Sequence, residues 1–563
     1  MEKISLQNIS FSYSATSPQV LDKLSLDFKP GEIVLLVGPT GSGKTTLLQI
    51  IAGVTPQVTG GVISGTALLD STDILRTSGA CRGRVGLVLQ DPESQLVNLT
   101  VNDEIVFGPE NLKLPVEEIR ERLNWALKKC RLEAMRDAYV YALSGGQKQR
   151  LAIAAGLALK PEVLLLDGPL TNLDPEGARE VLQTIYELVE SKSTQVVLVS
   201  SNKIDALLPL ATRLIVLDQG RIAFDGKPEE VLQQADKLSE IGLFVPEVAS
   251  LWPVILVKEP AAELPKTAKQ AANILRKYNP HHLVDTDGME NGAGSAEDII
   301  EVKGLTYDYG LGLVLSGVDL TIKKGEFVAI VGQNGSGKST LMSLITGLRS
   351  PKAGTITIAG KDIQRNSPQG IVGYVFQYPE HQFVSDTVGK ELRFGLQDRI
   401  DPVELKRRID EVICLFGMEG REDVSPYTLS VGEKRMLSVA TMLVLRPQVL
   451  ILDEPTTGLD RNLTTCLMNI LRRFVDDFGL TVLQVSHDME QVAEYCTKVA
   501  VIDQGKVVIT GTPRQLFLNA DILKRTKLDA PVIFRIAQML FPDDATIPVT
   551  VGQFLKEVHY ASN

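Results

Sequence analysis

At 563 residues the chain is too long for one ordinary domain of about 100–200 residues, and a 44% hydrophobic content with a mean hydropathy of +0.07 fits globular cores. A net charge of −11 and a pI near 5.3 argue against a general nucleic-acid binder. No apolar run reaches the roughly 18 residues of a membrane span; the longest, Leu151 to Leu166, is broken by Lys160, Pro161 and Glu162.

The first residues, Met1 to Ser5, carry no apolar leader core, so a cytosolic chain is expected, reaching a membrane only through a partner. After Phe11-Ser12-Tyr13, the run Ile33-Val34-Leu35-Leu36-Val37 reads as a buried strand. Gly38-Pro39-Thr40-Gly41-Ser42-Gly43-Lys44-Thr45-Thr46 follows it and opens a helix. Strand, glycine turn and helix is the setting in which this spacing means a phosphate-binding loop. Backbone N–H groups curl around phosphate oxygens, and the helix N-terminus adds its dipole. Lys44 supplies a point charge, and the Thr45 hydroxyl is placed to ligate Mg²⁺. Then come Val88-Leu89-Gln90, the segment Asp91-Pro92-Glu93-Ser94-Gln95-Leu96, an acidic apolar stretch from Val101 to Asn111, and Leu143-Ser144-Gly145-Gly146-Gln147. A strand ending in Asp167 leads to Gly168-Pro169, and later Val199-Ser200-Ser201-Asn202 closes the half.

The same order returns, so the chain is a tandem repeat, the first copy carrying about ten extra residues mostly between Gly60 and Gln90. Tyr307-Asp308-Tyr309 answers Phe11-Ser12-Tyr13, and Gly332-Gln333-Asn334-Gly335-Ser336-Gly337-Lys338-Ser339-Thr340 is the second phosphate loop. Val375-Phe376-Gln377, Tyr378-Pro379-Glu380-His381-Gln382-Phe383 and Leu429-Ser430-Val431-Gly432-Glu433 keep the order. Val449-Leu450-Ile451-Leu452-Asp453-Glu454 is a buried strand delivering two carboxylates at the end where parallel sheets bind ligands. Asp453 would hold Mg²⁺, and Glu454 would polarise the water that attacks a γ-phosphate. Each half is thus α/β, with a mainly parallel sheet and an inserted helical part. The expected divisions are 1–245, a linker 246–298, 299–520 and a C-terminal extension 521–563. Within the linker, Ala262 to Tyr278 reads as a helix and Asp285 to Ser295 as a flexible tether, with His281-His282 before it as solvated residues or, alternatively, metal ligands. Five scattered cysteines, without a C-x-x-C pair, read as buried or incidental thiols.

Phosphate loop, glutamine loop, L-S-G-G-Q signature, strand-Asp-Glu and Val485-Ser486-His487-Asp488, in this order, resemble an ABC-type ATPase twice over. The resemblance covers nearly all of the chain except the linker and the final stretch. It implies two nucleotide-binding domains, each a RecA-like core with an antiparallel β subdomain and a helical signature subdomain. It further implies ATP and Mg²⁺ as ligands, with Gln90 and Gln377 sensing the γ-phosphate and metal and His487 contacting the γ-phosphate. Tyr13 and Tyr309 match the aromatic that stacks on adenine, the alternative being strand-packing tyrosines. In the family the two domains pair head-to-tail, so each ATP lies between one phosphate loop and the other domain's signature, here Ser144, Gly145, Gly146 and Gln147 or Ser430 and Gly432. On that arrangement the halves are unequal. Gly168 and Ser201 stand where the second half has Glu454 and His487, while Val431 and Glu433 replace a glycine and the glutamine of the intact signature. Valine is expected to restrict a turn that glycine leaves open, and Glu433 to bring negative charge towards nucleotide. All losses then fall in the site of Lys44, Asp167 and Ser430, leaving Lys338, Glu454, His487 and Ser144 to hydrolyse.

The shared x-P-E-x-Q segments and the acidic stretch after them are similar to the ATPases of energy-coupling-factor importers of vitamins, cobalt or nickel. That likeness implies a membrane scaffold (T-type) subunit whose basic coupling helices meet Asp91, Glu93 and Glu380, and a separate substrate-binding membrane protein. It also implies a peripheral place on the cytoplasmic face of a prokaryotic cell membrane. The extension from Lys527 to Val558 is expected to help the halves dimerise. The rival classes are a soluble tandem ATPase acting on ribosomes, disfavoured by a short acidic linker, and an importer with a sugar permease, disfavoured by x-P-E-x-Q.

Overall fold

The computed structural model describes residues 3–560 apart from 78, 172, 174, 191–193, 203, 260–262, 283–296, 311 and 397–399. Its two units are Met1–Thr267 and Ala268–Asn563. In the first, six strands run in the order Arg221–Gly226, Arg213–Asp218, Ile33–Val37, Val196–Ser201, Val163–Asp167 and Val85–Val88. Only Arg221–Gly226 is antiparallel to its neighbour. Parallel strands covered on both faces need continuous apolar runs rather than alternation, and all five residues of Val163–Asp167 are buried. A second sheet, antiparallel, orders Leu21–Phe28, Ile4–Ser12, Val62–Leu69 and Thr72–Asp73. The helix Lys44–Ile51 shares one core with both sheets through Leu47, Leu48, Leu6, Phe28, Leu36 and Leu165.

The second unit repeats the plan. Its parallel sheet orders Val372–Val375, Val449–Asp453, Thr481–Val485, Phe327–Val331 and Lys498–Asp503, with Lys506–Gly511 as the antiparallel edge. Asp298–Asp308 lies between Leu313–Lys323 and Ala353–Ile358 in the antiparallel sheet. The helical insertion of each unit ends in the helix that the signature serine caps, Gly145–Ala158 and Val431–Val444. This is the architecture that the resemblance implies, a mainly parallel core with an antiparallel β subdomain and a helical insertion, built twice.

The division between units falls inside the stretch that reads as linker. Glu247–Ser250 and Trp252–Lys258 fold with the first unit, burying Val248, Leu251, Trp252 and Ile255. Ala268–Arg276 is a helix of the second unit that buries Ala271, Ala272 and Leu275 and packs on Val532–Leu540 of the C-terminal extension. Pro280–His282 then pairs antiparallel with Val558–Tyr560. The reading of His281-His282 as solvated is therefore corrected for His282, whose side chain is only 2% exposed. Its Nδ1 lies 2.5 Å from Asp544 Oδ2 and its Nε2 3.3 Å from Glu557 Oε2, and its ring sits against Phe541. The tether Asp285–Ser295 lies outside the described residues. Among the described residues no helix is long and apolar enough to cross a membrane, and no cluster of three or more His, Cys, Asp or Glu side chains is arranged for a metal ion.

Candidate active site

Both phosphate loops sit where a central strand turns into a helix, and sterics make their glycines obligatory. A Cβ at Gly38 would lie 2.2 Å from the Leu217 carbonyl oxygen, and one at Gly332 2.1 Å from that of Ile502. Gly43 and Gly337 cap the following helices at φ +101° and +107°, a region closed to most side chains. Thr40 with Gly41, and Asn334 with Gly335, form the loop tips. Lys44 Nζ donates to the carbonyls of Gly38 and Pro39 at 2.8 and 2.9 Å, and Lys338 Nζ to those of Gly332 and Gln333 at 2.8 Å each. Each ammonium is thus folded over the concavity that its loop encloses. Ser42 and Ser336 are buried within the loops, and Ser336 Oγ has no hydrogen-bond partner among the described residues, as a site built for phosphate oxygens would leave it.

The hydroxyl after each lysine meets the aspartate that ends the neighbouring strand. Thr45 Oγ1 donates to Asp167 Oδ2 at 2.7 Å, and Ser339 hydrogen-bonds Asp453. Burial pushes the Asp453 carboxyl up, opposed by Ser339, Lys338, Tyr374 and Arg435. A hydroxyl, a carboxylate and the exposed amides of Gln90 or Gln377 are hard oxygen donors, which fit Mg²⁺ in either unit.

The units diverge one residue later. Glu454 holds a left-handed backbone, φ +49°, and its Oε1 lies 3.2 Å from His487 Nε2. A side chain in that region carries strain of order 1–2 kcal/mol, and such outliers gather at functional positions. Gly168 holds the same conformation, φ +52°, where glycine bears no penalty. Its amide donates to the Ser200 carbonyl and hydroxyl, and the space a Cβ would enter is edged by Thr171 Oγ1 at 2.9 Å and Gln90 Cγ at 3.1 Å. Ser201, opposite it in sequence pattern, is buried at the end of its strand.

The two signatures differ less in backbone than their sequences imply. Ser144 and Ser430 both cap their helices, each Oγ accepting from the residue three on at 3.3 Å. Gln147 Oε1 and Glu433 Oε2 return the bond to the serine amide at 2.8 Å. Glu433 therefore serves the capping box and pairs with Arg421 at 3.1 Å, rather than presenting a bare charge. The expected restriction by Val431 is likewise corrected. Gly145 and Val431 are the first helical residues, without a positive φ, so valine fits the turn and contributes exposed bulk instead. The more closely approached glycine is the next one, against backbone in the first unit and a leucine side chain in the second. A Cβ at Gly146 would lie 2.8 Å from Gly177 Cα, and one at Gly432 2.5 Å from Leu463 Cδ1.

The family described as "ABC transporter" matches residues 21–171 and 315–457. A protein of Methanosarcina mazei provisionally named an ABC transporter ATP-binding protein is 35% identical over 97% of this chain and 95% of its own length. A Bacillus subtilis protein, YkoD, whose name provisionally assigns it to HMP/thiamine import as an ATP-binding protein, is 34% identical over 98% of both chains. The solved structure of cbiO1 from Clostridium perfringens, titled part of the ABC transporter complex cbiONQ, is 34% identical over 42% of this chain and 97% of its own, with a TM-score of 0.37.

The chain belongs to the ABC transporter family.

As an ABC ATPase it binds and hydrolyses ATP. Beside each phosphate loop stands a half-exposed tyrosine. Tyr13 Oη meets Thr46 Oγ1 at 3.0 Å and Tyr309 Oη meets Thr340 Oγ1 at 3.2 Å. Each ring packs edge-on against Phe11 or Tyr307, and Arg349 lies 4.9 Å over Tyr309. In the x-P-E-x-Q segments, Glu93 pairs with Lys148 at 2.5 Å and Glu380 with Lys434 at 3.1 Å. Each acid is thus paired within its own unit while its carboxylate still reaches solvent, 68% exposed for Glu93 and 41% for Glu380. Two more acids turn inward: Glu104 accepts from the Val97 and Asn98 amides, and Glu391 from those of Val384 and Ser385. Exposed apolar side chains stand beside them, with Val97, Leu99, Tyr141, Val384 and Phe394 each more than 60% exposed. Sequence reading missed Arg435, which reaches the carbonyls of Phe376 and Gln377, and Tyr374, which reaches Asp453 at 3.5 Å. The one available signal was their difference from Gln149 and Leu87 of the first copy.

Proposed function

We propose that the chain is the ATPase subunit of an importer of the energy-coupling-factor type, driving uptake of a vitamin, a vitamin precursor or a transition-metal ion. In this reading it has one hydrolytic and one degenerate ATP site. The observation that carries the asymmetry is Glu454 with His487 at 3.2 Å in one unit, against Gly168 and Ser201 in the other. The backbone of Gly332 to Gly337 and the Lys338 ammonium bind the phosphates, and Tyr309 stacks on adenine. Ser339, Asp453 and Gln377 would hold Mg²⁺, which when bound offsets charge on the phosphate oxygens. Glu454 accepts the proton of the attacking water, and His487 holds that carboxylate and the γ-phosphate in register. In the degenerate site Lys44, Thr45, Gln90, Asp167 and Tyr13 retain nucleotide, without a base to activate water. Ser144, Gly145, Gly146 and Gln147 keep the full signature sequence, whereas Ser430 and Gly432 belong to the altered one.

The importer class is supported by both x-P-E-x-Q segments, by the apolar faces beside them, and by the import function in the name of the Bacillus subtilis relative. Those faces suit coupling helices of a T-type scaffold in the membrane, with ATP-driven closure moving the scaffold and hydrolysis resetting it. The chain then sits peripherally on the cytoplasmic face. Affinity purification of the tagged chain from detergent-solubilised membranes tests this. A small polytopic scaffold with a substrate-binding membrane protein is expected, and recovery of ribosomal proteins in their place would overturn it.

A further inference from the structure

Arg435 lies one turn into the helix that Ser430 caps, and only 3% of it is exposed. Its Nη1 donates to the Phe376 carbonyl at 2.7 Å and its Nη2 to the Gln377 carbonyl, while Nε is buried with no hydrogen-bond partner among the described residues. Burial lowers its pKa to about 10, against the pull of Glu380, Asp453 and Glu454. A guanidinium taken from water and given carbonyls is a costly arrangement. What it secures is the main chain of the glutamine loop, just beyond the strand Val372–Val375.

The first unit lacks this tie. Gln149 occupies the corresponding place, buried, with its Nε2 unpartnered among the described residues. The cation there is one residue on. Arg150 turns to the carbonyls of Cys130 and Arg131 at 3.1 and 3.2 Å and to Glu180 Oε2 at 2.9 Å, and Met436 takes that place in the second unit. One residue is about 100° of helix rotation, so the shift redirects the cation from the helical insertion to the glutamine loop. The Lys148–Glu93 and Lys434–Glu380 pairs are common to both units. The second anchor is what separates them.

We propose that Arg435 is a positioning residue for Gln377, fixing its main chain so that its amide meets metal and nucleotide oxygens in one geometry. This rests on the reading that Gln377, Asp453 and Glu454 serve the hydrolytic site. Arg435 itself touches no reacting group. It works through the backbone, as second-layer hydrogen bonds hold metal ligands elsewhere. The variant Arg435→Gln reproduces the first unit's residue, and Arg435→Lys keeps a cation with a single donor head.

The test uses the full chain with ATP as probe, in Mg²⁺ and in EDTA. Arg435→Gln is expected to lower kcat about tenfold, with KM for ATP changed less than about twofold. Arg435→Lys should recover part of that loss. In a Glu454→Gln background, where turnover is removed, Arg435→Gln should also cut the gain in ATP affinity that Mg²⁺ brings, by about fivefold. An unchanged kcat and an unchanged Mg²⁺ gain would overturn the proposal. So would a lower kcat that tracks loss of folded protein, read by thermal melting, with the Mg²⁺ gain intact. If Glu454→Gln alone keeps turnover, the site assignment fails and this inference with it. Loss of turnover in Glu454→Gln beside a wild-type Arg435→Gln defeats only the positioning role.

Discussion

His487 Nε2 lies 3.2 Å from Glu454 Oε1, and the first unit has neither group, with Ser201 and Gly168 at the matching positions. Catalytic proton transfer by a placed base contributes about 10²–10⁴-fold. Glu454→Gln should therefore lower steady-state hydrolysis about a hundredfold or more, while ATP binding persists. His487→Ala should lose rate and keep binding as well. Phosphate release and nucleotide-binding assays on the same preparations check both.

Restoring the carboxylate alone should not restore a second fast site. Gly168 at φ +52° offers a glutamate the backbone that Glu454 already uses, so Gly168→Glu should fold once Thr171 and Gln90 shift aside. It still faces Ser201 rather than an imidazole. Gly168→Glu combined with Glu454→Gln is expected to hydrolyse at about one hundredth of the wild-type rate or less, measured by the same assay.

Acid should loosen two charge clusters. Arg84 and then Lys3, with burial opposing, hold the Glu162 carboxyl down at about 2. Burial raises Asp544, but the Thr546 hydroxyl and amide with His282 outweigh it and bring that carboxyl to about 2 as well. A depressed carboxyl contributes stability that is complete above its unfolded pKa and is lost as pH falls through the folded one. Both contributions should thus be intact above roughly pH 4.5 and fade towards pH 2. Glu162→Gln should flatten that part of the curve of melting temperature against pH.

His282 clasps the start of the second unit to its C-terminal extension. Removing a buried hydrogen-bonding group of this kind costs about 2 kcal/mol, so His282→Ala should speed amide exchange selectively at positions 281 and 282 and along Val558–Tyr560. Exchange at Phe327–Val331, inside the parallel sheet, should not change.

The parts of the site legible in the sequence are those whose chemistry is local. The phosphate loops, the strand ending in Asp453-Glu454 and the substitutions at Gly168 and Ser201 are each read within a few residues. What escaped depends on distant partners. His282 reads as a linker histidine because Asp544 and Glu557 are 262 and 275 residues away. The pairing of Glu93 and Glu380 within their own units escaped because Lys148 and Lys434 lie 55 and 54 residues away. Val431 and Glu433 read as damage because only the geometry shows a helix start that admits valine and a capping box that glutamate completes.

In the proposed cycle one of two bound ATP molecules is hydrolysed. The most direct measurement is a quenched-flow single turnover on the wild-type chain in its membrane complex, loaded with ATP and started with Mg²⁺. A fast phase yielding one ADP per chain, with a second ATP retained, is expected. A fast phase of two ADP per chain would contradict it.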